Sequence, residues 1–78
     1  MISEVPTWKI GGYLFRMYRI DHLPRHVHVL RDGVQLDRFD VEGWRFMDGK
    51  IGRHRGRVLR AIEDLARRGA FDEGEDDG

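Results

Sequence analysis

The stretch Asp21-His22-Leu23-Pro24-Arg25-His26-Val27-His28-Val29-Leu30-Arg31-Asp32-Gly33 decides how the chain is read. Pro24 fixes its own φ and biases Leu23 toward extended backbone, so the chain turns here and then runs straight. From His26 to Leu30 the residues alternate with the period of a half-buried strand. His26 and His28 share one face, and Val27 and Val29 share the other. Asp32-Gly33 is a strong hairpin signal, because both residues tolerate the positive φ angles of a tight turn. The result is a titratable patch on a rigid strand, beside a turn that carries Asp21 and His22.

Outward toward the N-terminus, Tyr13–Ile20 reads as a longer strand with Tyr13, Phe15 and Met17 in one apolar row and Arg16 breaking the other face. Gly11-Gly12 is the turn of a second hairpin, and Thr7–Ile10 is its first strand. Outward toward the C-terminus, Val34–Val41 is the strand after Asp32-Gly33. Its apolar parity changes between Leu36 and Phe39, which predicts one extra residue in a bulge near Asp37-Arg38. Glu42-Gly43 interrupts it, Trp44–Met47 is a short closing strand, and Asp48-Gly49 ends the series.

The period changes from about Gly52. Val58, Leu59, Ile62, Leu65 and Ala66 follow the spacing of an amphipathic helix. Gly69 is placed to end that helix, and Glu63 stands four residues before Arg67, within reach of an ion pair. The fold expected is α+β, an antiparallel meander of four to five short strands with one C-terminal helix packed on a face. Residues 1–70 form one compact domain. Residues 71–78, with almost nothing to bury, are expected to be a disordered acidic tail.

Composition narrows the function classes. There is no cysteine, which removes disulfides, thiolate metal sites and a cysteine nucleophile. No apolar run approaches the ~20 residues of a membrane span, and Met1–Pro6 lacks the basic start and apolar centre of a signal peptide, so a cytoplasmic location with no membrane partner is expected. The net charge of +0 hides an asymmetry. Residues 1–70 hold all 14 basic and 9 acidic residues, a balance of +5, and Asp72, Glu73, Glu75, Asp76 and Asp77 supply the opposing −5. Twelve of the basic residues are arginines, suited to bidentate contact with phosphate or carboxylate.

Two constellations carry chemistry. His26 and His28 place their β-carbons about 6–7 Å apart, close enough to converge on one zinc ion that Asp21 or His22 would complete. Alternatively Asp21, His22, His26 and His28 supply acid and base for metal-independent RNA cleavage, with Arg25 on the phosphate. The bland reading makes Asp21 a turn cap and the histidines ordinary sheet residues. The second constellation is Lys50–Arg60, where Lys50, Arg53, Arg55, Arg57 and Arg60, with His54, put six basic residues in eleven. It suits a phosphate backbone, either RNA or DNA, or an acidic protein. Arg25 is grouped with these as a binding residue.

On these residues the chain resembles the small bacterial proteins of the domain of unknown function 4160 family. Its signature runs Arg-Met-Tyr, a few residues, then Asp-His-x-Pro-Pro-His-Phe-His-Val, a hairpin, a strand and a C-terminal helix. Arg16-Met17-Tyr18 and Asp21–Val29 follow that run, with Arg25 in place of the second proline and Val27 in place of phenylalanine. The similarity in order of elements covers about residues 5–68. The chain departs at Lys50-Ile51-Gly52-Arg53, where the family carries a Gly-x-Leu-Pro lead-in. The resemblance implies a toxin–antitoxin-like arrangement, with a protein partner encoded nearby, and it carries no settled activity with it. The alternatives are a non-catalytic inhibitor or regulator from a mobile element, a small metalloprotein, or a ribonuclease using the His cluster. An open meander edge would also let two copies pair as a homodimer.

Overall fold

The computed structural model describes residues 6–17 and 25–71. Five strands, β1 (Thr7–Ile10), β2 (Tyr13–Arg16), β3 (His26–Arg31), β4 (Val34–Asp40) and β5 (Arg45–Phe46), form one antiparallel sheet in the order β1-β2-β3-β4-β5. A 3₁₀ turn over Gly52–His54 leads into α1 (Arg55–Arg67). The fold is the expected α+β meander with one C-terminal helix. The expected extension of β2 through Tyr18–Ile20 lies outside the described residues.

The two predicted tight turns have the backbone they need. Gly11 and Gly12 take φ of 58° and 85°, and Asp32 and Gly33 take 53° and 80°. Such paired positive angles match the right-handed twist of the flanking strands. The bulge is also present, one residue earlier than its predicted place. Val29 pairs with Asp37 and Leu30 with Gln35, which leaves Leu36 as the extra residue. After it, Asp37 and Phe39 both turn inward.

One face of the sheet supplies Tyr13, Phe15, Val27, Val29 and Phe39, and α1 supplies Val58, Ala61, Ile62 and Leu65 to the same buried cluster. The helix stops as its sequence suggests. Gly69 adopts φ 81°, its N–H donates to the Ala66 carbonyl, and the Ala70 N–H donates to that of Leu65. These two bonds are the Schellman pattern that satisfies the last carbonyls. Asp64, rather than the expected Glu63, pairs with Arg67 and Arg68 at 3.6 and 2.8 Å.

Two expectations are corrected. The closing strand contains only Arg45–Phe46, because Trp44 sits in the preceding turn with φ 60° and packs edge-on against Phe39. Trp44 remains 42% exposed, whereas Trp8 is partly buried against the core cluster. Phe71, assigned by its acidic neighbours to the tail, is buried and meets Trp8 edge-to-face at 5.9 Å. The compact unit therefore extends through residue 71, and the tail expectation for 72–78 lies outside the described residues.

Candidate functional site

Strand register sorts the polar residues onto the face that the helix leaves uncovered. Thr7 pairs with Arg16, Arg16 with His28, and His28 with Arg38, which makes one row across four strands. A second row joins His26, Asp40 and Arg45. Directly opposed side chains in such rows have β-carbons about 4.5–5.5 Å apart. His26 and His28 do share a face, as the period of two requires, and their ring centroids are 5.0 Å apart. His26 is buried, while His28 is half-buried with Nδ1 3.0 Å from Gln35 Oε1.

Asp21 and His22 lie outside the described residues, so their proposed association with this pair has no described geometry. Among the described residues no group of three or more His, Cys, Asp or Glu side chains converges on a point that would hold a metal. The pair His26 and His28 could contribute two ligands at most.

Sequence reasoning missed the acidic residues that set the site's frame. Asp37 is 1% exposed and faces the core side. Its Oδ1 accepts the N–H groups of Arg38 and Asp48, at 2.7 and 2.9 Å, and its Oδ2 accepts that of Lys50 at 2.7 Å. Buried carboxylates need such donors, and here they tether the loop between β5 and the helix to β4. From the other face, Arg38 donates to both carboxylate oxygens of Asp48, at 3.1 and 2.6 Å. That hydrogen bond chiefly holds the Asp48 carboxyl below its ordinary pKa. The charges of Arg38, Lys50 and His26 add to the effect, and burial opposes it. Asp40 closes the β4–β5 turn by accepting the N–H groups of Glu42 and Gly43 at its Oδ1. The available signal for Asp37 was the parity change around the bulge, which turns an apparently polar position inward.

The second constellation sits at the other side of the molecule's core. Lys50, Arg53, Arg55, Arg57 and Arg60 are all exposed, and neither the 3₁₀ turn nor α1 has an acidic residue in its first turn. His54 belongs to the structure here rather than to the surface charge. Its Nδ1 is 2.9 Å from the Tyr13 hydroxyl, and the two rings meet edge-on. The Arg55 guanidinium lies 5.4 Å from the centroid of the Phe46 ring. Arg25 is not part of this group. Its guanidinium donates to the Phe71 carbonyl, beyond the opposite end of a 13-residue helix about 20 Å long.

An open five-stranded meander, covered by a helix on one face and carrying a basic and imidazole row on the other, defines a small single-sheet α+β protein. The family model described as a domain of unknown function (DUF4160) matches residues 12–68, and the chain belongs to that family. The match spans β2 to α1 and so includes both constellations. No curated protein and no solved structure matches the chain. No helix among the described residues is long and apolar enough to cross a membrane.

Proposed function

We propose that the protein is one component of a toxin–antitoxin-like two-protein module, binding its partner and the phosphate backbone of a nucleic acid. The observation that carries the nucleic-acid part is the exposed set Lys50, Arg53, Arg55, Arg57 and Arg60 at a helix start with no first-turn carboxylate. Their charge adds to the partial positive charge of the helix N-terminus. Within the lone chain this arrangement costs stability, and a polyanion offsets the cost. An acidic surface on the partner protein would compete for the same patch.

The test is binding of labelled RNA and of duplex DNA measured by anisotropy over a range of salt. The affinity should fall linearly with salt on a logarithmic scale, with a slope near −0.7 per phosphate contacted for single strands and −0.9 for duplex. Arg57→Glu with Arg60→Glu should weaken binding and reduce the magnitude of the slope by about 1.5. Weak, salt-independent binding that the double variant leaves unchanged would remove nucleic acid from the proposal.

A second reading has its own observation. The His26 and His28 rings lie 5.0 Å apart, with Arg16 and Arg38 across the strands on either side of His28. This arrangement supports acid–base cleavage of RNA, in which imidazoles move protons and a guanidinium steadies the phosphate. Cleavage of a fluorogenic RNA that persists in chelator and disappears in His28→Gln is the expected result.

A further inference from the structure

We propose that Arg16 holds a phosphate group on the helix-free face of the sheet, at a site separate from the helix-start patch. The placement comes first. Arg16 ends β2 and is flanked by Thr7 on β1 and His28 on β3, in the row that continues to Arg38. It is carried on paired strands rather than a loop, so its base is fixed.

The state of its charge comes second. The other arginines of the described chain divide into two groups. Arg31, Arg38, Arg67 and Arg68 have carboxylates, Arg25 has the Phe71 carbonyl, and Arg55 has the Phe46 ring. Arg45, Arg53, Arg57 and Arg60 are exposed and solvated. Arg16 is half-buried, yet no carboxylate among the described residues pairs with it. Of the described acids on its own face, Asp48 is held by Arg38, and Asp40 accepts the amides of Glu42 and Gly43 at its Oδ1. A guanidinium partly withdrawn from water without a counter-charge is costly, and an incoming anion relieves that cost.

The chemistry of the row selects the anion. A guanidinium presents a planar fork that takes two oxygens of a carboxylate or a phosphate. A carboxylate is then used up. A phosphate keeps further oxygens, which suits a fork lying between a hydroxyl and an imidazole. A terminal phosphomonoester of a nucleic-acid strand keeps a third terminal oxygen beyond the fork, whereas a backbone phosphodiester gives both non-bridging oxygens to the fork and keeps only its weaker ester oxygens. This site goes beyond the helix-start reading, since neither needs the other, and it deepens the imidazole reading, in which a guanidinium beside His28 steadies the phosphate.

The experiment is a titration followed by NMR of the Arg16 side-chain Nε–Hε signal, using inorganic phosphate and then an RNA trinucleotide with and without a 5′-phosphate. Saturable movement of the Arg16 signal is expected in the wild-type protein, so the result does not depend on a variant folding. Arg16→Gln should weaken phosphate binding at least about tenfold, as loss of a charge-assisted fork does. Arg57→Glu with Arg60→Glu should leave it unchanged while weakening long nucleic acids. Tighter binding of the 5′-phosphorylated trinucleotide identifies a terminal phosphate, and equal binding of the two identifies the backbone. Movement confined to the helix-start arginines, no saturation at Arg16, or unchanged affinity in Arg16→Gln would each overturn the proposal.

Discussion

Replacing Asp37 by Asn tests whether one buried carboxylate fixes the loop that both polar surfaces share. The side chain accepts three backbone N–H groups, two at Oδ1 and one at Oδ2. Asparagine can keep its single oxygen on Arg38 and Asp48, but it then turns its NH₂ toward the Lys50 N–H, donor against donor. A hydrogen bond to a charged group contributes roughly 1.5–3 kcal/mol and a neutral one about 1. Losing one bond and weakening two gives an expected loss of about 3–4 kcal/mol. A domain of this size has a total of roughly 4–12 kcal/mol, so the variant should be folded but close to its limit. Urea unfolding followed by tryptophan fluorescence should show a lower midpoint with an unchanged slope. Hydrogen exchange should show the Lys50 amide losing its protection. A loss under about 1 kcal/mol with the Lys50 amide still protected would refute the reasoning, because the bonds would then not be what holds the loop.

Acid should act through Asp48. Its carboxyl is held below the ordinary range by Arg38, so its stabilising contribution is complete above the unfolded-state value, about 3.9. That contribution is lost as pH falls from there through the lower folded value. Asp48→Asn should cost on the order of 1 kcal/mol at pH 6, and the gap from wild type should narrow as pH falls below about 4 in urea titrations. Two glycines should respond with opposite signs. Gly69→Ala at φ 81° should lower stability by about 1 kcal/mol, while Gly56→Ala, in α1 with open space around a new β-carbon, should raise it by about 0.5 kcal/mol. Thermal melts of the two variants, with a shift in the same direction for both, would contradict the backbone argument.

The sheet was legible because local rules and global burial agree along most of it. Gly11-Gly12 and Asp32-Gly33 both demand hairpins, and the alternation in His26–Leu30 leaves one side for the core. The helix was legible for the same reason, through Val58, Ile62 and Leu65. What escaped reading depended on pairing across strands. Nothing near Arg16 in sequence says that His28 lies opposite it, and nothing near Asp37 says that residues 48 and 50 return to its oxygens. Phe71 was misread because its acidic neighbours outweighed one large apolar side chain, whose partner Trp8 comes from the far end of the chain.

The period of two also explains how a short loop serves both faces of so small a protein. Asp37 and Arg38 are consecutive on β4, so one points into the core side and the other to the helix-free side. Both grip the same loop: Asp37 through the Asp48 and Lys50 amides, and Arg38 through the Asp48 carboxylate and by accepting the Met47 N–H at its carbonyl. Beyond the loop lies the basic helix start, and behind Arg38 lies the row with His28 and Arg16. A change that frees the loop must therefore disturb both surfaces, whereas a change at Arg16 or at Arg57 must disturb only its own. Comparing Asp37→Asn with Arg16→Gln, in one set of phosphate and nucleic-acid titrations, separates a shared scaffold from two independent sites.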